Sequence, residues 1–375
     1  MMTQALDPIG RIRRGEAGYS LVELLVSMGI TVVVVGTTMM AMNNALRATE
    51  TAQMVTAMNG TLRTSMDLMV RDLLQVAAGL PPGHTLALPS GANSAAVLLP
   101  GPPVGNNGLN TAFQTAVGDT SISAVMPGPG LGPVVNGVAT DIVRVLMADN
   151  TFGDVAITAA TSTTVTVTAA VNIATGVDRV VPGQLMMVEK GSTALLLQVT
   201  AVDTGARVLS FADTDSLNLN QPLAAAGSLT TLNATAPANT PSAVSLTRVR
   251  MITFYIDSTI PDHPRLVRRI NNGDPTTFDN TLGTAVAVDV ENLQVSYDLA
   301  DANANASNVR FVAADLAPGG ACNLVACNVN QIRKMNITLT GRSQRPATVS
   351  REYFRNAVST QVSLRGMAFV DEYFQ

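Results

Sequence analysis

The spacing of apolar positions divides the chain into stretches of different period. From Leu24 to Leu46 there is no charged residue, and the run is apolar on every face of a helix. That is enough to cross a bilayer, which takes about 20 residues. From Ala48 the pattern turns amphipathic. Ala52, Val55, Met58, Leu62, Met66, Met69, Leu73 and Val76 recur at steps of three or four, with Arg47, Glu50, Gln53, Asn59, Arg63, Asp67, Arg71 and Asp72 between them. This spacing predicts a helix with one buried stripe. No proline occurs between Tyr19 and Leu80, and Pro81-Pro82-Gly83 stops the pattern. The expectation is one helix over 19–79, about 90 Å long at 1.5 Å per residue. Its first part, about 19–46, belongs in lipid or among other helices, and its second part packs on its own head. A long coiled coil is the alternative.

Residues 80–138 are rich in Gly, Pro, Ala, Asn and Ser and read as connecting loops with short turns. From Asp141 the texture is β. Ile142–Met147 is a short apolar run, and Thr163–Thr168 alternates. Gln184–Val188 and Ala194–Thr200 flank a turn at Lys190-Gly191-Ser192. Val249–Ile256, Leu293–Leu299, Met335–Leu339 and Gln361–Arg365 continue the series. The alternation predicts half-buried strands with one polar face. An antiparallel sheet laid on the amphipathic half of the helix buries both apolar faces at once, which makes the fold class α+β, with a β-rich head over 139–375.

Upstream of the apolar run stand Arg11, Arg13 and Arg14, then Gly18-Tyr19-Ser20-Leu21-Val22-Glu23. The arginines hold this end on the cytoplasmic side by the positive-inside rule. Glu23 is the one charge at the start of the apolar segment, and it is costly in lipid without a partner. This stretch resembles the processing site of type IV prepilins and type II secretion pseudopilins. The resemblance implies cleavage after Gly18 by a prepilin peptidase, loss of residues 1–18 as a leader, and N-methylation of Tyr19 as the new N-terminus. Tyr stands where the family usually has Phe. The resemblance also implies that the Glu23 carboxylate pairs with a subunit's N-terminal amine during assembly. The alternatives are a plain single-pass anchor and a Glu23 that snorkels to the headgroups.

A second resemblance, to PilW-type minor pilins, rests on the order of Pro182–Val188, Phe254-Tyr255-Ile256, Arg265–Arg269, Val290–Tyr297 and Val362–Arg365. It covers the helix and roughly residues 141–365. It implies a low-copy subunit that helps initiate a pilus at or near its tip, working with other minor and major pilins, an inner-membrane assembly platform and membrane lipid. Such a subunit starts as a single-pass inner-membrane protein with a periplasmic head and ends in an extracellular pilus. Within the family the rival reading is a J-type pseudopilin of a type II secretion system. From another class, the rival is a tip adhesin or DNA-uptake module.

Charged residues make up only 13% of the chain and the formal net charge is −4, which suits an exported subunit better than a free cytosolic one. The leader carries three arginines against Asp7 and Glu16, so its removal takes the net charge from −4 to about −5. An acidic chain with no Lys/Arg run offers no electrostatic footprint for nucleic acid. The two cysteines, Cys322 and Cys327, lie in a part expected outside the cytoplasm, where disulfides persist. Bonded to each other they would close a short loop worth about 2 kcal/mol. A metal site is the competing reading, but it needs about four ligands and no His or further Cys is near.

No cofactor motif or catalytic constellation stands out. Gly128-Pro-Gly130-Leu-Gly132 lacks the Lys-Ser/Thr and the strand–helix frame of a phosphate loop. His84 and His263 lie in loop-like sequence and read as surface residues. Asp301, Asn303 and Asn305 have the spacing of the first calcium-loop ligands, but Ala306 replaces the glycine and Val312 the bidentate Glu. An Asn/Asp-rich turn and a different calcium geometry both remain open there.

Overall fold

The computed structural model describes residues 18–81, 85–89, 96–102, 109–114, 119–191, 193–221, 227–229, 232, 244–271, 283–300, 306–322, 327–348 and 351–369. The chain divides into two compact units, Met1–Met54 and Val55–Gln375. The leader before Gly18 lies outside the described residues.

The first unit is the start of a long helix, Leu21–Leu73. Its large apolar side chains from Leu21 to Leu46 are exposed. The hydroxyls in this stretch are bonded back to the helix. Ser27 Oγ donates to Leu24 O (2.9 Å), Thr31 Oγ1 to Ser27 O (2.7 Å) and Thr38 Oγ1 to Val34 O (2.6 Å). The polar groups are thereby satisfied within the helix, as hydrocarbon surroundings require. This is one helix long and apolar enough to cross a membrane, consistent with single-pass anchoring.

In the second unit the helix buries Met58, Leu62, Met66, Met69 and Leu73, which is the apolar stripe of the sequence. The stripe lies on a three-stranded antiparallel sheet of Val290–Leu299, Ile332–Arg342 and Arg355–Ser363. The approach is close at Gly341, where a Cβ would stand 2.9 Å from Leu62 Cδ2. Asn356 Nδ2 donates to Asn59 Oδ1 (2.7 Å), and Arg268 Nε to Asp72 Oδ2 (2.5 Å). The regular helix ends at Leu73, short of residue 79. The backbone beyond it is recruited by strand Ile142–Ala148: Ala77 N–H donates to Leu146 O (2.9 Å) and Ala148 N–H to Ala78 O (2.9 Å). Ala77 and Gly79 take positive φ (63° and 69°) to make that exit.

The larger sheet is organised around the 14-residue strand Val244–Asp257. Its first half pairs with Leu185–Lys190 on one side and Val155–Ala160 on the other. Its second half pairs with Arg265–Ile270 and Ile142–Ala148. One strand therefore serves two hydrophobic cores. One core contains the helix stripe, and the other gathers Phe152, Ile157, Val165, Leu209, Phe211 and Leu246. The hairpin Leu185–Lys190/Thr193–Gln198 lies between them. Leu185, Met187 and Leu196 enter the first core, while Met186, Val188, Leu195 and Leu197 enter the second. These strands are buried on both faces, unlike the expected pattern with one polar face. The one-sided pattern holds for Val290–Leu299 and Ile332–Arg342, whose burial alternates.

Residues 80–138 differ from the loop reading. They include strands Thr85–Ala87, Leu98–Pro100, Leu109–Gln114, Ser121–Ser123, Val125–Gly128, Val134–Val135 and Val138–Ala139. Val125–Gly128 pairs along Ile142–Ala148, and Ala87 meets Leu195 in a parallel pairing within an otherwise antiparallel sheet. Pro100, Pro127 and the glycines around them sit at strand ends or on short strands, so turn-type composition hides the pairing.

Candidate processing and assembly site

Gly18, Tyr19 and Ser20 precede the helix without regular structure, and all three are exposed. Ser20 is the cap: Val22 N–H donates to its Oγ (3.3 Å), and Leu24 N–H to its carbonyl (3.1 Å). Glu23 then falls at the third helical position. A carboxylate there complements the positive end of the helix dipole, and Ser-x-x-Glu is the sequence signature of a capping box. This local role for Glu23 could have been read from the sequence. No described atom comes within 4 Å of a Cβ built on Gly18. The space around Gly18 therefore does not call for glycine. Tyr19 is 84% exposed.

In the head, Cys322 and Cys327 form a disulfide, with Cα atoms 5.3 Å apart. Among the described residues, no group of three or more His, Cys, Asp or Glu side chains could hold a metal ion. Asp301, Asn303, Asn305 and His84 lie outside the described residues. His263 is half exposed, and its Nδ1 sits 2.9 Å from Oδ1 of the buried Asp289.

No family model, curated protein or solved structure matches the chain.

The buried charges of the head act as structural rivets. Asp141, 1% exposed, accepts from Gly130 N–H (2.7 Å), Val295 N–H (2.8 Å) and Arg310 Nη2 (2.6 Å). It ties the first sheet to the second. Glu291 bonds Arg355 Nε (2.7 Å) and lies 3.4 Å from Arg342 Nη1. The sequence offers little warning of such pairs, because their members lie far apart along the chain.

Among the described residues, Asp215 is the one carboxyl pushed markedly upward, to about 6. Burial is the main cause, opposed by N–H groups of Leu219 (2.8 Å) and Asn220 (3.0 Å). Asn220 in turn brackets Gln198, accepting from its N–H (2.8 Å) and donating to its carbonyl (2.7 Å), so the loop closes the end of a core strand. A carboxyl whose folded pKa lies above its unfolded value, about 3.9, stabilises fully below that value. The contribution is lost as pH rises through about 6. Between pH 4 and 7 the expected loss is on the order of 2–3 kcal/mol. Asp215→Asn should flatten this slope in denaturation midpoints measured across that range, and an unchanged slope would refute the assignment.

Proposed function

We propose that the chain is a pilin-like subunit, a minor pilin of the PilW type, that takes part in initiating a type IV pilus at or near its tip. The observation that carries this reading is the placement of Gly18 and Glu23. An unconstrained glycine stands immediately before a capped, surface-apolar helix, with the sole acidic residue of that segment in the first turn. The same helix goes on to supply the buried stripe of a β-rich head. A plain anchor would use Glu23 only to cap its own helix and would not need the glycine before it. The head holds its buried charges in ion pairs and turns, as a structural subunit would.

Filaments sheared from the surface of cells expressing the chain at native level should contain it in small amount. Deleting its gene should abolish piliation while leaving secreted enzymes in the medium. Normal pili together with a block in secretion would favour the type II pseudopilin reading instead.

A further inference from the structure

The geometry points to the outer edge of strand Arg355–Ser363 as a docking site for an extended, antiparallel segment of a partner polypeptide. The bonds Ser343 N–H to Phe354 O and Leu364 N–H to Arg333 O, both 2.8 Å, fix the parity of this strand. Even-numbered residues direct their backbone groups to Ile332–Arg342, in the register Gly341↔Asn356 through Met335↔Val362. Arg355, Ala357, Ser359, Gln361 and Ser363 therefore present N–H and C=O outward. Among the described residues no strand pairs with them. Among the described residues only Ala357 N–H finds a substitute, the Asn356 Oδ1 at 3.0 Å.

The opposite edge of the same sheet is treated differently. On Val290–Leu299, Tyr297 exchanges two backbone bonds with Val309 (2.8 and 2.9 Å), and Leu299 N–H donates to Ala306 O (2.7 Å). Asp141 N–H covers Leu293 O (2.9 Å), and the Asp141 carboxylate covers Val295 N–H (2.8 Å). One edge is thus sealed at every second residue and the other is open. Open edges are usually blunted by lysine, proline, bulges or inward charges. Arg355–Ser363 has no lysine or proline, its register is unbroken, and its one charge, Arg355, is at the end and held by Glu291.

The chemistry of the partner follows from the two rows it must continue. On the helix side, Val358 and Val362 extend the core and call for apolar residues. On the other side, Ser359 and Gln361 belong to a polar ladder with Thr338, Asn336 and Asp298, and call for uncharged hydrogen-bonding residues. The neighbouring strand already shows the pattern, with Met335, Ile337 and Leu339 inward and Asn336, Thr338 and Thr340 outward. Strand addition of this kind draws affinity from the main chain and specificity from alternate side chains. It does not depend on the pilus reading.

The test is residue-resolved amide exchange on the full chain in detergent micelles, with a synthetic peptide of sequence 332–342 as probe. In the chain alone, Ser359, Gln361 and Ser363 should exchange quickly, and Val358, Thr360 and Val362 slowly. The peptide should slow the first three by about tenfold or more. Peptide N-methylated at the positions of Asn336, Thr338 and Thr340 should lose the effect, because those N–H groups face the edge. Methylation at Met335, Ile337 and Leu339 should leave it intact. Ser359→Pro, which removes an outward N–H together with the hydroxyl bonded to Thr338, should abolish the response. Ser359→Ala, which removes only the hydroxyl, should keep it, and in both the amides bonded to Ile332–Arg342 should stay protected. The proposal is overturned by outward amides already slow in the chain alone, whether from its own segments or a dimer. It is equally overturned by no slowing at about 1 mM peptide, or by two methylated peptides that act alike.

Discussion

Replacing Asp149 with alanine should lower the unfolding free energy of the head by about 3–5 kcal/mol, the usual cost of removing one side of a buried ion pair. Asp149 is 5% exposed, directly after strand Ile142–Ala148. It accepts from Arg248 Nε (2.8 Å), from Arg250 Nη2 (2.7 Å) and Nε (3.1 Å), and from the Thr151 hydroxyl (2.8 Å). Arg248 is itself buried, with its guanidinium 5.5 Å from the centre of the Phe152 ring. The pair lies where the central strand passes from one core to the other: Arg248 N–H donates to Phe152 O, and Asp149 N–H to Arg248 O. Burial alone would raise the Asp149 carboxyl, but Thr151, Arg250 and the charge of Arg248 outweigh it and hold the carboxyl below its ordinary value. A carboxyl with a depressed folded pKa stabilises above its unfolded value, near 3.9, and that contribution disappears as pH falls through the folded value. Urea denaturation near pH 7 should therefore show the full deficit of Asp149→Ala, and the deficit should shrink below pH 4. A variant within 1 kcal/mol of wild type at pH 7 would mean that the guanidiniums find equal partners elsewhere.

The second large effect concerns assembly. Glu23→Gln should leave processing and membrane level unchanged, yet reduce incorporation into filaments by about tenfold or more. If the carboxylate only snorkelled, removing its charge would ease insertion of the helix and assembly would be no worse. If it only capped its own helix, glutamine would substitute, since either side chain serves at the third position of a capping box. If it pairs with the amine of a neighbouring subunit, glutamine leaves that amine among apolar groups without its counter-charge. Yield of sheared filaments from a strain carrying only the variant separates these roles, with membrane-bound subunit as the control. Wild-type incorporation would sink the pairing role and leave capping or snorkelling.

Much of the architecture was legible because it rests on local periodicity. The stripe from Met58 to Val76 and the alternation of Val290–Leu299 and Ile332–Arg342 each follow one period over several turns or pairs. What stayed hidden depends on contacts between distant segments. The Leu185–Lys190 hairpin reads as half-buried until the second core is known to cover its other face. Strand Val125–Gly128 carries Pro127 and ends in Gly128, so it reads as a turn, yet it pairs at the margin of the sheet where proline is tolerated. After Leu73 the helix tightens, with Gln75 N–H on Asp72 O and Val76 N–H on Leu73 O, and Leu146 and Ala148 then take the backbone groups of Ala77 and Ala78, a pairing that a local pattern does not show. At the proposed processing site, Gly18, Tyr19 and Glu23 were singled out by their resemblance to the prepilin motif. The cap at Ser20 was equally open to reading through Ser20-Leu-Val-Glu23.

The most direct test of the account is the N-terminus of the chain isolated from the membranes of cells that express it. Mass spectrometry should find a mature species that begins at Tyr19 and carries one added methyl of about 14 Da, and Gly18→Ala should keep the leader attached. A chain that retains residues 1–18, or one cut after the apolar run near Leu46, would contradict the assignment of Gly18 and the pilin-like reading built on it.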